Sequence, residues 1–465
     1  MTEIRKKRKR LYWFLILILV LVITGFLVGR IVWFAIQGNE RLHGPKGTIP
    51  QRAKVVAPIE RGQADWPCWR GPNGDGKSQV IGIKKDWTDG LTKIWEVNFL
   101  CQGDRNVTWS APVILGNRIV VPGRDSKKDL VFCLDPQNGE VIWIGSYEVK
   151  TNANHGPGAR ATPFIDEDRV YTFGRSGDLV CWRLEDGQLV WRRNVTEEGG
   201  KEPTWGHSSS PLVYQDKVIV QGGGKALVIA YDKMTGNVIW KSMEGKAGYA
   251  AITLQEAGDA KKLFVFHGKG LACLDPNNGK EMWSSLWETD YDVNATTPVN
   301  YGNIVFITSG YDTGCQAFKV ENERVEPLWR SRIIASHHSD PIIIDGYIYG
   351  YSGQSNQNKG LFKCVELESG EEKWSTGEIG WGTTVWVDGY LLCLDIEGNL
   401  SLVKPDTNEF YKVAEFREAL GDVRHPAWTI PVVANGRLYL RYMQRLLCYD
   451  IMLQYAPLFN TQNIP

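Results

Sequence analysis

Short apolar runs, each introduced by a turn, recur along most of the chain. Residues 116–121 (GNRIVV) and 436–440 (GRLYL) are typical, because a Gly and polar residues are followed at once by apolar ones. Strand-length apolar segments bounded by Gly, Asn and Asp are the pattern of β-hairpins. The pattern predicts an all-β fold built from many short strands.

One repeat consists of an apolar strand, a tight turn and a second strand that ends in Trp. In residues 130–143 (LVFCLDPQNGEVIW), Gly139 precedes Trp143 by four positions. Gly accepts the positive φ of a tight turn, and a terminal Trp fills the wedge between neighbouring sheets. The predicted structural Trp residues are Trp95, Trp143, Trp191, Trp240, Trp283, Trp329 and Trp374, with Val413 in the eighth position. Their mean spacing of about 45 residues is the length of a four-stranded propeller blade.

A second motif, offset from the first, gives an independent count. It places a small or hydroxyl-bearing pair before a Pro and an inner strand, at Pro112, Pro163, Pro211, Pro298, Pro341 and Pro431. Residues 251–253 and 383–385 occupy two further slots without Pro. Both motifs therefore predict eight blades. Residues 91–97 and 431–454 are each an incomplete blade, and joining them in one sheet removes an open edge from the ring.

The N-terminus carries an apolar stretch that follows a basic cluster. Residues 1–10 hold six basic side chains, and residues 11–29 are uncharged, which is long enough to cross roughly 30 Å of hydrocarbon. Because basic residues stay cytoplasmic, we predict a cytoplasmic tail (1–10), a transmembrane signal anchor (11–36) and a linker (37–63). A cleaved signal peptide is the alternative, but its apolar core is usually about 7–15 residues and ends at an Ala-x-Ala-like site. The predicted location is the bacterial inner membrane, single-pass, with the propeller in the periplasm.

Composition and charge narrow the class further. The chain has 43% hydrophobic residues, 49 Gly and 19 Trp, which excludes a disordered protein. Its net charge is zero, so the basic N-terminus leaves a mildly acidic body that offers no basic face to nucleic acid.

The blade repeat, Leu-Asp-x-x-x-Gly-x-x-x-Trp, resembles the pyrroloquinoline-quinone (PQQ) repeat family. That family contains eight-bladed quinoprotein alcohol dehydrogenases and non-enzymatic relatives such as BamB. The resemblance covers residues 64–455, followed by a C-terminal tail (456–465), and implies an eight-bladed β-propeller of the quinoprotein type. In this chain the propeller would be preceded by the one transmembrane helix predicted above. Residues 65–76 (DWPCWRGPNGDG) are similar to the segment before the first blade in bacterial members, and we interpret them as a turn that seals the propeller. A calcium loop there would need Glu where Gly82 stands.

For the dehydrogenase branch, the resemblance implies a quinone between a Trp and a disulfide of adjacent cysteines, beside calcium, with an Asp as base. This chain has nine Cys, and no two are adjacent. Cys68 and Cys101 could pair in an oxidising compartment, which the sequence leaves open. Five others share one repeat slot and are interpreted as small buried side chains near the axis: Cys133, Cys181, Cys273, Cys364 and Cys448. No cofactor is expected, with PQQ and calcium as the alternative.

The residues just before each inner strand should surround one mouth of the central channel. They are polar or aromatic, as in a ligand funnel, although a narrowing ring also needs bulky plugs and structural lining is the alternative. Adjacent residues at a strand start point opposite ways, so only one of two neighbouring His is expected to face the channel. The candidate funnel residues are Trp109, Arg160, His207, Tyr249, Asn294, His337, His338, Asp340, Trp381 and Trp428.

No catalytic or metal-binding residue is assigned from the sequence. The first hypothesis is a membrane-tethered, non-catalytic module that binds a protein or polymer partner. The alternative is a PQQ-dependent alcohol dehydrogenase with an atypical cofactor site in the funnel.

Overall fold

The computed structural model describes residues 48–50, 58–103, 106–150, 156–257, 260–321, 324–354 and 360–453. The predicted cytoplasmic tail (1–10), signal anchor (11–36) and C-terminal tail (456–465) lie outside these residues, as does most of the linker. Within the described part of the chain, no helix is long and apolar enough to span a membrane. The membrane anchor therefore stays a prediction.

Within the described residues, thirty-two strands form eight four-stranded antiparallel sheets, which confirms the eight-bladed propeller. Blade 1 contains β2 (Val113–Leu115), β3 (Arg118–Arg124), β4 (Lys128–Leu134) and β5 (Val141–Glu148). Blade 2 contains β6 (Phe164–Asp166), β7 (Arg169–Phe173), β8 (Asp178–Arg183) and β9 (Leu189–Asn194). Blade 3 contains β10 (Leu212–Tyr214), β11 (Lys217–Gln221), β12 (Val228–Asp232) and β13 (Val238–Ser242). Blade 4 contains β14 (Thr253–Ala257), β15 (Ala260–His267), β16 (Gly270–Leu274) and β17 (Glu281–Leu286).

The second half of the ring repeats this arrangement. Blade 5 contains β18 (Val299–Tyr301), β19 (Ile304–Ser309), β20 (Gly314–Glu321) and β21 (Arg324–Ser331). Blade 6 contains β22 (Ile342–Ile344), β23 (Tyr347–Ser352), β24 (Leu361–Glu366) and β25 (Glu372–Thr376). Blade 7 contains β26 (Gly382–Val387), β27 (Tyr390–Asp395), β28 (Leu400–Lys404) and β29 (Tyr411–Phe416). Blade 8 contains β30 (Val432–Ala434), β31 (Arg437–Tyr442), β32 (Arg445–Asp450) and β1 (Thr92–Val97). Two short 3-10 turns, Val195–Glu198 and Asp290–Asp292, lie between blades.

Blade 8 closes the ring with strands from both ends of the sequence. β1 pairs antiparallel with β32, and Trp95 lies opposite Cys448. The closing blade predicted from the two incomplete repeats is therefore confirmed.

The Gly and Trp of the first motif each contact a neighbouring blade. Trp143 of blade 1 donates from its indole N–H to the carbonyl of Leu184 in blade 2 at 2.7 Å. The same ring lies against Gly187, where an added Cβ would meet Trp143 Cε3 at 2.4 Å. Gly187 also has a φ of 74°. In five blades, the Gly of the repeat lies against the Trp of the preceding blade: Gly139 on Trp95, Gly187 on Trp143, Gly236 on Trp191, Gly279 on Trp240 and Gly370 on Trp329.

Two details of this repeat differ from prediction. In blade 7, Ala414 lies opposite Leu402, and the register shifts immediately beyond this pair, so Ala414 rather than Val413 occupies the Trp position. The repeated cysteines are buried, but they lie on the third strand of their blades, where Cys133 faces Trp143. The first strands of adjacent blades contact each other and are innermost. The prediction that these thiols pack near the axis was therefore wrong.

The second motif connects the innermost strands of consecutive blades. The N–H of Ala111 donates to Thr162 Oγ1 at 3.1 Å, and the N–H of Thr162 donates to Ser210 Oγ at 2.9 Å. In the same way, the N–H of Thr297 donates to Asp340 Oδ1 at 2.8 Å. At these three junctions, the residue before the Pro bonds to its counterpart in the next blade, which gives small hydrogen-bonding side chains a role there.

Thr162→Val tests this connection between blades. The change keeps the side-chain shape and leaves the buried N–H of Ala111 without an acceptor, which typically costs about 1–3 kcal/mol. We expect a lower urea midpoint for Thr162→Val and a near-native one for Thr162→Ser, which retains the hydroxyl. Equal midpoints for the Val and Ser variants would contradict the role of this hydrogen bond.

Before β1, residues 58–91 form an extended arm along the turn ends of several innermost strands. Trp66 pairs with Ile114 of β2, the N–H of Ile165 in β6 donates to Pro67 O at 2.8 Å, and the N–H of Trp386 in β26 donates to Gly76 O at 2.9 Å. A cleft of about 630 Å³ lies between the arm and the strands β10, β14 and β18. The arm therefore leaves part of this end of the channel uncovered.

Candidate functional site

The other end of the channel opens into a cavity of about 340 Å³, which we call the funnel. Its walls come from the loops that precede the innermost strands and from the arm. Six of the candidate residues meet there: Trp109, Arg160, Tyr249, His337, His338 and Trp428. The other lining residues are Trp69, Trp205, Ser208, Ser210, Ala251, Val293, Ala295, Thr297, Tyr311 and Thr429.

A continuous series of rings forms one side of the funnel. The ring centroids of Trp109 and Trp428 are 4.8 Å apart, and those of Trp428 and His338 are 5.9 Å apart. His338 stacks on His337 at 3.8 Å, and His337 meets Tyr311 edge-on at 4.9 Å. Such ring pairs hold each other in place and present faces and edges to a ligand.

The two stacked histidines contradict the expectation that only one of them faces the channel. Both line the funnel, and their rings are only 23° from parallel. The physical reason is local, because β22 begins at Ile342 and His337 and His338 lie in the preceding loop. The alternation of side chains along a strand does not apply there.

Arg160 provides the formal positive charge of the funnel. Burial, together with the nearby Arg175 guanidinium, lowers the Arg160 pKa to about 10, so the group remains a cation at neutral pH. Burial lowers the pKa of His337 to about 4, which keeps that ring neutral at pH 7. Among the described residues that line the funnel, none is Asp, Glu or Cys. The wall therefore combines aromatic rings with one permanent cation.

Four candidate residues lie elsewhere and have structural partners. His207 is buried against Phe173, with ring centroids 5.0 Å apart, and burial lowers its pKa to about 4. Asn294 donates to His267 O at 2.7 Å and accepts from Ser309 Oγ at 2.8 Å. The two remaining residues, Trp381 and Asp340, are also buried, with Trp381 donating to Gly353 O and Asp340 forming an ion pair with Arg70.

Trp69, Trp205 and Tyr311 line the funnel without having been predicted from the sequence. Trp69 comes from the arm, and its indole N–H donates to Thr297 Oγ1 at 2.9 Å. Trp69 and Thr297 also line the cleft beyond the funnel, so the indole stands between the two cavities. The sequence predicted that residues 65–76 seal the propeller, but it did not identify Trp69 as the residue that enters the channel.

The donor set of the funnel does not fit a quinone held beside calcium. Calcium takes oxygen ligands and most often carboxylates, and the described funnel wall has hydroxyl groups but no carboxylate. No cluster of three or more metal-ligating His, Cys, Asp or Glu occurs among residues the structure describes. All nine cysteines are free, including Cys68 and Cys101, whose pairing the sequence left open. Cys68 Sγ instead donates to Gly71 O at 3.0 Å.

Relatives of known sequence fall into two groups. BamB, the outer membrane protein assembly factor of Yersinia pestis, is 22% identical over 377 residues, which cover 75% of this chain and 86% of that protein. Tetrathionate hydrolase of Acidithiobacillus ferrooxidans is 24% identical over 200 residues, which are 40% of this chain and only 38% of the enzyme.

Solved structures share the fold at low sequence identity. BamB from Moraxella catarrhalis superposes with a TM-score of 0.54 at 16% identity, covering 77% of this chain and 99% of that one. Quinohemoprotein alcohol dehydrogenase from Comamonas testosteroni gives 0.60 at 14% identity, covering 86% and 82%.

The match to a family rests on the blades themselves. The sequence model described as outer membrane protein assembly factor BamB matches residues 127–376, more than half of the chain. Within this range lie five of the repeats that end in Gly-x-x-x-Trp and the interblade contacts described above. The chain therefore belongs to the PQQ-like repeat β-propeller family that this model of BamB represents.

Proposed function

We propose that this protein is a non-catalytic scaffold that binds part of a protein partner in its funnel. The observation that carries the proposal is the composition of the described funnel wall, which has many aromatic rings and one Arg but no carboxylate or thiol. Aromatic and Arg side chains are the residues that most often dominate protein interfaces. A rigid ring of sheets is well suited to hold such loops in a fixed arrangement.

The relatives favour a protein as the partner. The Yersinia pestis relative is named an outer membrane protein assembly factor, which indicates that it acts with other proteins. We further propose that this propeller lies in the periplasm and is tethered to the inner membrane by the predicted anchor (11–36), whose apolar length and basic flank support this location. The shared fold is compatible with the dehydrogenase alternative, but the side chains of the described funnel wall do not fit a quinone beside calcium.

Trp428→Ala should release the partner, because it removes a ring in contact with both Trp109 and His338. Loss of a central aromatic residue typically costs at least about 2 kcal/mol, or roughly 30-fold in affinity. The matched control is Tyr411→Ala, which removes a 53% exposed ring on β29, outside the funnel. The measurement is quantitative mass spectrometry of proteins cross-linked to each variant in bacterial membranes, with thermal midpoints checked on purified protein.

Two outcomes would contradict the proposal. If Trp428→Ala and Tyr411→Ala retain the same proteins, the funnel is not the binding site. If purified protein with added PQQ and calcium reduces a dye in the presence of an alcohol, the scaffold proposal fails in favour of the dehydrogenase. External protease added to spheroplasts checks the location, and a propeller that remains protected would overturn its placement in the periplasm.

A further inference from the structure

The funnel adjoins the cleft at Trp69, which lines both cavities. Trp69 lies between it and the cleft, held by its hydrogen bond to Thr297 and by the adjacent Arg70. Arg70 donates to Pro341 O at 3.0 Å and pairs with Asp340 at 3.1 Å, which fixes the arm beside this indole. The funnel has a volume of about 340 Å³, the size of a small-molecule pocket, so it accepts a chain end or a single side chain rather than a long stretch of a partner chain.

The charge of the funnel selects an anion. Arg160 is the wall residue with a permanent charge, and a second guanidinium, that of Arg175, lies close enough to lower the Arg160 pKa. Arg175 is itself 1% exposed and pairs with Glu202 at 3.6 Å, and the Glu202 carboxylate also acts on Arg160, where it opposes the lowering of the pKa. The Arg160 guanidinium, as a cation in the wall of a partly desolvated cavity, attracts an anion that enters it.

The volume and the rings require an apolar group next to that anion. A carboxylate alone would leave most of the 340 Å³ cavity and its aromatic walls without contacts. The last residue of a polypeptide carries a carboxylate and a side chain on the same Cα, so it can reach Arg160 and the Trp109–Trp428 pair together. An Asp or Glu residue within a chain also has a carboxylate, but its side chain has no apolar group that could contact the rings at the same time.

We propose that the funnel binds the free C-terminus of a partner protein whose last residue is aromatic or large and aliphatic. Arg160 receives the terminal carboxylate, and the Trp109, Trp428 and His338 rings enclose the last side chain. This inference rests on the proposed function and specifies which part of the partner enters the funnel.

The test uses synthetic peptides that differ only at their C-terminus. Acetyl-Gly-Gly-Ser-Phe is compared as the free acid and as the carboxamide, and the series is repeated with Trp and with Leu in the last position. A third peptide, acetyl-Gly-Glu-Ser-Phe carboxamide, carries its carboxylate on a side chain. Binding is measured by titration calorimetry and by tryptophan fluorescence. We expect the free acid to bind about 10- to 100-fold more tightly than both carboxamides, because charge-assisted hydrogen bonds are the strong ones.

Variants of Arg160 separate charge recognition from general damage. Arg160→Gln should make the acid and the amide bind equally, while Arg160→Lys should keep part of the preference, since a point charge remains without the planar fork. Trp428→Ala should weaken both peptides. An unchanged acid preference in Arg160→Gln would overturn the assignment of the carboxylate to Arg160.

The peptide and cross-linking experiments distinguish a failure of C-terminal recognition from a failure of the scaffold proposal. If acid and amide bind equally to the unaltered protein, or if the Glu-containing carboxamide binds as well as the acid, C-terminal recognition is overturned. The same conclusion follows if no peptide binds although Trp428→Ala still loses the cross-linked partner, and in that case the scaffold proposal stands. If the cross-linked partner is retained by Trp428→Ala, the scaffold proposal itself fails.

Discussion

A chain truncated after Val413 is expected to lose cooperative folding altogether. The truncation removes the second half of β29 and all of β30, β31 and β32, which leaves β1 without a neighbour and exposes the buried faces of blades 7 and 1. Closure of the ring covers the apolar faces of every blade, and exposed apolar faces and unpaired strands promote aggregation. The measurement is urea unfolding followed by tryptophan fluorescence, together with size-exclusion chromatography.

Truncation after Leu453 is the matched control. It shortens the same end of the chain but keeps all thirty-two strands, including the pairing of β1 with β32. We expect a monomer with a cooperative unfolding transition near that of the full chain. A cooperatively folded monomer from the Val413 truncation would show that seven blades close without the eighth, contrary to the role assigned to blade 8.

Arg70→Met is expected to destabilise the propeller by about 3–5 kcal/mol, as is usual when one partner of a buried ion pair is removed. The side chains of Arg70 and Asp340 are 3% and 4% exposed, and they are 3.1 Å apart. Arg70 also donates to the carbonyls of Gly74, Asp75 and Pro341, so its loss frees the arm from blade 6. The control is Arg332→Met, because Arg332 and Asp312 form a pair that is 74% and 77% exposed, and such pairs contribute about 0–1 kcal/mol. Thermal and urea midpoints give the comparison.

A double variant tests whether the destabilisation comes from an uncompensated charge. Asp340→Asn combined with Arg70→Met removes both charges and keeps a side-chain oxygen that accepts from the N–H of Thr297. We expect the double variant to be more stable than the sum of the two single changes predicts, because the residues are in direct contact. Strict additivity would mean that the ion pair contributes nothing as a pair.

The repeats could be read from the sequence because each depends on local chemistry. A Gly in a positive-φ turn and a Trp four residues later identify a hairpin wherever they occur, and the contact of Gly187 with Trp143 shows why both recur together. The same reasoning failed in blade 7, where Lys412, Val413 and Ala414 are all compatible with a strand. Only the pairing register identified Ala414 as the residue opposite Leu402.

The funnel was only partly predictable. Six candidates met in one cavity because the residues before the innermost strands are brought to the same end of the channel by the blade repeat. Asp340, Asn294, His207 and Trp381 occupy similar sequence positions but are buried in contacts with other residues. A polar or aromatic residue before a strand is compatible with either role, and its neighbours decide between them.

The sequence by itself determined the all-β fold, the number of blades and the closing of the ring by the two ends of the propeller. These follow from turns, strand patterns and spacings, which act over a few residues and repeat eight times. Only the tertiary structure decided that Trp69 enters the channel, that His337 and His338 stack side by side, and that Asp340 holds the arm instead of facing a ligand. Each of these depends on residues far apart in sequence that meet at the axis, and such contacts leave no periodic signal along the chain.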